Sequence, residues 1–220
     1  MKSTIIFDLD GTLVDSCGVC VDILQQMIAL RGFDHVIDPV HARSFMSRGG
    51  EMMVASLLGV AAVDPARDLQ EFRELYAHTT TRLDALFEGV SDGLRRLEDC
   101  GYILAICSNK PQALCEQVLN DTAIADHFKV VVGGQAGFRP KPEPDLLDRT
   151  LDLLEVPAEA CVYVGDSELD HQTAAARGVP FHFLTYGYAD PAWEPEGCDV
   201  HDHFGDLAGA LLARAPLLVR

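Results

Sequence analysis

The stretch Ile5-Ile6-Phe7-Asp8-Leu9-Asp10-Gly11-Thr12-Leu13-Val14-Asp15-Ser16 decides how the rest of the chain is read. Its apolar start, Ile5-Ile6-Phe7, has no polar alternation and reads as a buried strand. The run ends in two carboxylates one residue apart, Asp8 and Asp10, followed by Gly11 and Thr12. Charge at the end of a core strand is costly to bury unless something compensates it. The rest of the sequence has to say what does.

Working outward, apolar residues at helical spacing (Val19, Ile23, Met27, Leu30) predict a helix over 19–30, which Gly32 stops. Helices are also expected over 39–46, 51–58 and 65–82, the last opening on Asp64 as N-cap and Pro65 in the first turn. From 15 to about 87 the chain therefore reads as all-helical. The pattern then changes. Helices over 90–99, 111–119, 145–154, 169–177 and 207–213 alternate with short strands over 102–107 (YILAIC), 129–132, 161–164 (CVYV) and 181–184. Such alternation specifies a parallel sheet covered on both faces. The fold class expected is α/β. A Rossmann-like parallel-sheet core, residues 1–14 and 88–220, carries a small helical cap, residues 15–87, inserted after the first strand.

Composition bounds the function. Of 220 residues, 48 % are apolar, enough for a sizeable core. No apolar run approaches the roughly 18 residues of a membrane span, so no membrane partner is expected. The first strand begins at about Thr4, which leaves no room for an export signal and makes the cytoplasm the expected location. Thirty-four acidic against seventeen basic residues give a formal net charge of −17, which argues against a nucleic-acid partner. The same charge repels an anionic substrate, so a site for one must reverse the sign locally, with a metal or with placed Lys and Arg. The seven cysteines are scattered, mostly in apolar surroundings, as reduced core thiols are. Cys17-Gly18-Val19-Cys20 has redox spacing. It lacks the context of a redox motif, and no second pair completes a zinc site. His171, His201 and His203 read as surface residues and Trp193 as packing.

Ligands of such sheets bind at the carboxyl ends of the strands. The first strand ends in Asp8 and Asp10, and YILAIC in Ser108-Asn109-Lys110. The KVVVGG strand leads to Arg139-Pro140-Lys141-Pro142, and CVYV ends in Gly165-Asp166-Ser167-Glu168-Leu169-Asp170. Four strand ends thus supply four carboxylates, two hydroxyls and a lysine to one point.

DLDGT, CSNKP, RPKPEP and GDSELD resemble, in order, the four motifs of the haloacid dehalogenase superfamily in its phosphatase branch. The resemblance runs from Ile5 to about Tyr188, and the helical insertion is similar to that family's small cap. CSNKP, VVGGQ and LTYGY look most like the phosphoglycolate phosphatase subgroup. The resemblance implies a hydrolase of a small anionic phosphorylated metabolite, with Mg²⁺ as cofactor and an aspartyl-phosphate intermediate. Asp8 would be the nucleophile and Asp10 the general acid and then base, a division that splits one difficult displacement into two. Asp8 and Asp166 side chains, with the Asp10 backbone carbonyl, match the family's Mg²⁺ ligands, and Asp170 would be a further ligand or a support. Gly11, Thr12, Ser108, Asn109 and Lys141 would surround the phosphoryl group. The ion answers the opening question, since it offsets the clustering of anions. Monomer and homodimer remain equally open.

Arg48 precedes Gly49-Gly50, a turn between two helices of the expected cap. In so acidic a chain it is the candidate to pair with a second anionic group of the substrate, such as a carboxylate. The simpler reading is a surface pair with Glu51.

Other readings fit less well. A dehalogenase lacks the second Asp of DLDGT. Phosphonate cleavage needs a cap lysine, and the lysines here are Lys2, Lys110, Lys129 and Lys141. A sugar-phosphate mutase shares FMSRGGE but carries more basic residues in its cap, and it stands with pyrophosphatase as the alternative. A receiver-like signalling module would place its phospho-acceptor on a later strand. A non-catalytic relative would not keep Asp8, Asp10, Lys141 and Asp166 together.

Overall fold

The computed structural model describes residues 3–214. The opening run forms β1 (Thr4–Phe7), and all four of its residues are buried. The other strands are β2 (Ile103–Pro111), β3 (Phe128–Gly134), β4 (Cys161–Gly165), β5 (Phe181–Leu184) and β6 (Asp199–His201). All pair in parallel, in the order β3-β2-β1-β4-β5-β6. β1 lies inside the sheet, with Ile5 opposite Leu104 on one side and Val162 on the other. A strand covered on both faces and both edges has no solvent side, which is why its sequence is apolar without alternation.

The chain divides into two units. One runs to Asp15 and resumes at Arg82; the other is Ser16–Thr81. The second is helical: α1 (Cys17–Leu30), α2 (Pro39–Arg43), α3 (Gly50–Leu58) and α4 (Pro65–Ala77). Asp64 caps α4 by accepting the Arg67 N–H at 2.9 Å. Arg31, just past α1, reaches α4, with Nη2 2.9 Å from Asp68 Oδ1 and 2.6 Å from Glu71 Oε2. Two helices are shorter than their spacing predicts. α2 stops at Arg43, and single turns follow, with Phe45 N–H to Ala42 O and Met46 N–H to Arg43 O. α4 stops at Ala77, where Thr79 Oγ1 donates back to Leu75 O at 2.9 Å. β-branched Thr79, Thr80 and Thr81 then disfavour a further turn.

In the first unit α5 (Val90–Asp99), α6 (Gln112–Asp121), α7 (Asp145–Leu154), α8 (Glu168–Ala175) and α9 (Phe204–Ala213) flank the sheet. Ile6, Ala105, Cys107 and Tyr163 pack with Leu146 and Leu147 of α7 and Ala174 of α8. The opposite face carries Phe7, stacked on Phe204 of α9 at 6.0 Å. His171 is half-buried, its ring 5.3 Å from Phe181 and 5.8 Å from Trp193. His201 is half-buried, its Nε2 3.0 Å from His182 Nδ1.

Two features of the sheet differ from the sequence reading. β6 is an added edge of three residues, too short for a periodic signal. β2 does not stop at Cys107. It bulges and resumes pairing, so that Cys107 faces Val132 and Pro111 faces Gly134. Three residues of β2 thus oppose the single Gly133, which re-aims Ser108, Asn109 and Lys110. A Cβ on Gly133 would lie 2.7 Å from Lys110 O, so only glycine fits behind the bulge. Among the described residues no helix is long and apolar enough to cross a membrane.

Candidate active site

Asp8 continues β1, its N–H donating to Val164 O at 2.9 Å. The chain then turns tightly through Gly11 (φ +85°), whose N–H donates to Val14 O at 2.8 Å. A Cβ at Gly11 would collide with the Asp166 carboxylate, and so would one at Gly187. Asp166, at the end of β4, is held from both sides. Thr12 Oγ1 donates to its Oδ1 at 2.8 Å and the Tyr188 N–H to its Oδ2 at 2.7 Å. Tyr186 Oη donates to Thr12 O and Tyr188 Oη to Asp15 Oδ1, both at 2.7 Å. The segment after β5 therefore braces the loop after β1.

Lys141 is buried to 5 % exposure. Its Nζ lies 2.9 Å from Asp8 Oδ1 and 2.5 Å from Asp170 Oδ1, and donates to Cys107 O at 3.3 Å. Tyr163, which the sequence reading passed over as a core residue of CVYV, also donates to Cys107 O, at 2.8 Å. Burial works against the Lys141 ammonium, but Asp170 and Asp8 outweigh it and hold its pKa above the ordinary lysine value. Asp170 Oδ2 accepts from the Ser167 N–H at 3.2 Å and from Ser167 Oγ at 2.6 Å. Both Asp170 oxygens are thus engaged, one by Lys141 and one by the N-cap of α8.

Asn109 grips the backbone of Lys141. Its Oδ1 accepts the Lys141 N–H at 2.7 Å and its Nδ2 donates to Lys141 O at 3.1 Å. Ser108 is buried, 2 % exposed, with Oγ accepting the Lys110 N–H at 3.4 Å. Lys110, a residue the sequence analysis left without a role, stands with Nζ 3.2 and 3.3 Å from the two Asp10 oxygens. Arg48 belongs to the helical unit, where its guanidinium lies 5.1 Å from the centroid of the Phe45 ring. The structure thus gathers Asp8, Asp10, Gly11, Thr12, Ser108, Asn109, Lys141, Asp166 and Asp170 in one unit, and Arg48 in the other.

Asp8, Asp166 and Asp170 each bring a carboxylate oxygen within 4.8 Å of the others. Burial raises the Asp8 pKa to about 6, although Lys141 opposes the shift. Burial, with Asp170 and Asp8 beside it, raises that of Asp166 well above the usual range. Lys141 Nζ, 2.9 Å from Asp8 Oδ1, is a charge partner of that oxygen. A buried cluster of three carboxylates, all hard oxygen donors, fits Mg²⁺ or Mn²⁺.

The model of the haloacid dehalogenase-like hydrolases matches residues 5–184. The chain belongs to that family. Haloacid dehalogenase-like hydrolases similar to it include a plasmid-borne phosphoglycolate phosphatase of Cupriavidus necator, 36 % identical over 86 % of this chain and 83 % of that one. A phosphoglycolate phosphatase of Rhodobacter capsulatus is 33 % identical over 95 % and 96 %. The fold is that of a haloacid dehalogenase-like family hydrolase from Streptococcus pneumoniae, with a TM-score of 0.79, 21 % identity and coverage of 96 % and 98 %. This member of the family is a hydrolase of the phosphatase kind.

Proposed function

We propose that the protein hydrolyses phosphoglycolate or a closely similar small phosphomonoester through an aspartyl-phosphate on Asp8. The observation that carries the reading is Asp8 itself. It is a buried carboxylate at the end of the central strand, with the Lys141 ammonium 2.9 Å from Oδ1. A nucleophile on a rigid strand end loses little freedom in reaching the transition state.

In this reading Asp8 attacks phosphorus while Asp10 protonates the leaving oxygen, and Asp10 then takes a proton from the water that releases phosphate. Ser108 Oγ and Lys141 Nζ hold the phosphoryl oxygens as charge develops on them. Asn109 and Asp170 keep Lys141 in place from opposite ends, its backbone and its ammonium. Asp8, Asp166 and the Asp10 backbone carbonyl would hold Mg²⁺, with Asp170 supporting. When bound, the ion supplies positive charge that lets a phosphate dianion approach the carboxylates. Phosphoglycolate is favoured because the two curated relatives carry that activity in their names and cover most of their length with this chain. Arg48 is a cationic residue of the helical unit that would suit the phosphoglycolate carboxylate. The cysteines are all free thiols, which suits a reducing cytoplasm.

The test is a panel of phosphometabolites, including sugar phosphates, sugar bisphosphates and pyrophosphate, with purified protein and Mg²⁺. Phosphoglycolate should show the highest kcat/KM, and acid quenching during turnover should trap phosphate on Asp8. A higher kcat/KM for a bisphosphate or for pyrophosphate would reassign the substrate. Absence of any trapped phosphoprotein during rapid turnover would remove the covalent step.

A further inference from the structure

We propose that Lys110 is a positioning residue for Asp10, set in place by the glycine-backed bulge of β2. The inference rests on the reading of Asp10 as acid and base. Lys110 Nζ straddles the carboxylate, 3.2 Å from Oδ1 and 3.3 Å from Oδ2. A contact to both oxygens fixes the rotation of the group and not merely its distance. Asp10 needs this, because it lies beyond the strand in a turn and its side chain is 27 % exposed, whereas that of Lys110 is 7 % exposed.

The backbone that carries Lys110 is itself fastened. Its carbonyl accepts the Cys115 thiol at 3.3 Å, and its N–H donates to Ser108 Oγ at 3.4 Å. Gln112 ties the same corner to β3, accepting the Gly133 N–H at 2.6 Å and donating to Val131 O at 3.1 Å. Without the bulge, side chains at 108 to 110 would alternate across the sheet. With it, Asn109 serves Lys141 and Lys110 serves Asp10, one residue apart. What two contacts supply is orientation, and a reacting group misplaced by about 1 Å loses roughly 10² in rate.

The experiment compares Lys110→Met, Lys110→Arg and Asp10→Asn with the wild type at saturating Mg²⁺. Two substrates are used: phosphoglycolate, whose alkoxide must be protonated to leave, and 2,4-dinitrophenyl phosphate, whose phenolate leaves unaided. kcat/KM reports steps up to departure of the alcohol, and kcat includes the later release of phosphate. Lys110→Met should lower kcat/KM for phosphoglycolate by about 10²-fold. For the aryl ester kcat/KM should hold within about threefold, while kcat and KM fall together because water activation has become limiting. Lys110→Arg, which keeps the cation, should recover most of the loss. Placing Lys110→Met on Asp10→Asn should add nothing further for phosphoglycolate. Equal loss for both esters, or loss in neither, overturns the proposal, since that is the pattern of a general charge or a packing role. If Asp10→Asn itself shows no leaving-group dependence, the acid–base reading fails first. If Asp10→Asn shows it and Lys110→Met does not, only the role of Lys110 is lost.

Discussion

Asn109 and Lys141 are locked together, 32 positions apart in sequence, by a carboxamide that accepts one backbone N–H at 2.7 Å and donates to the same residue's carbonyl at 3.1 Å. Asn109→Ala breaks both bonds and leaves the Lys141 peptide unpaired at a half-buried corner, at a cost of about 1–3 kcal/mol. At this chain length that lowers the melting temperature by roughly 2–4 °C per kcal/mol, and kcat should fall at least about tenfold as Lys141 drifts. An unchanged melting curve with a raised KM would instead make Asn109 a direct phosphate ligand.

Asp8→Asn should abolish turnover and keep the fold. It should also stabilise metal-free protein at neutral pH. A carboxyl whose folded pKa is raised, here to about 6 against an ordinary 3.8, favours the unfolded state as pH climbs through that window. The wild type should therefore lose stability between pH 4 and 7 relative to Asp8→Asn, read as melting temperature in EDTA. Retention of more than a tenth of the wild-type rate would rule out Asp8 as nucleophile.

Chelation should abolish activity, and Mg²⁺ or Mn²⁺ should restore it. Binding should also be visible without substrate: at a hundredfold excess over Kd, Mg²⁺ should stabilise the fold by about 2.7 kcal/mol. Asp166→Asn should remove most of this thermal shift. A full shift in that variant would place the ion elsewhere.

The helical unit has its own acid sensitivity. Asp68 is buried and opposed by desolvation, yet the Val63 and Asp64 N–H groups and Arg31 hold its pKa below the ordinary carboxylate value. A depressed carboxyl stabilises above its unfolded pKa, near 3.9, and the gain disappears as pH falls through the folded value. Unfolding of residues 16–81, followed by hydrogen exchange, should therefore sharpen below about pH 4. Asp68→Asn should lose that stabilisation already at pH 7. Identical pH profiles for the two proteins would make the pair energetically silent.

Arg48→Ala should lower kcat/KM for phosphoglycolate by the worth of a desolvated charge pair, roughly 2–5 kcal/mol, and leave a neutral aryl phosphate almost untouched. Equal effects on both substrates would return Arg48 to a surface role.

The sequence made the site legible where chemistry and topology coincide. Ile5-Ile6-Phe7 could only be a doubly covered strand, so Asp8 and Asp10 had to lie at its carboxyl end, and CVYV placed Asp166 in the same way. What local pattern could not show were pairings between distant residues. Lys110 follows Asn109 in the chain but its partner is Asp10, and the bulge that turns it there depends on Gly133, a glycine with no marked φ. Tyr163 looked like one more core residue of an apolar run, because its hydroxyl partner is a carbonyl of β2. Thr79, Thr80 and Thr81 ended α4 early where the apolar spacing alone would have continued it.

The place of β1 in the sheet also sets an order of events during synthesis. Thr4 pairs with Ile103 and with Cys161, so the central strand emerges from the ribosome about a hundred residues before its nearer neighbour. At roughly 5–20 residues per second that is a wait of about 5–20 s, with the apolar Ile5, Ile6 and Phe7 unpaired. The helices of Ser16–Thr81 form one compact unit and are complete in sequence before β2 is made. Nascent chains stalled before β2 should show protected helices and a protease-sensitive N-terminus, a state open to capture by a holdase until the second strand arrives.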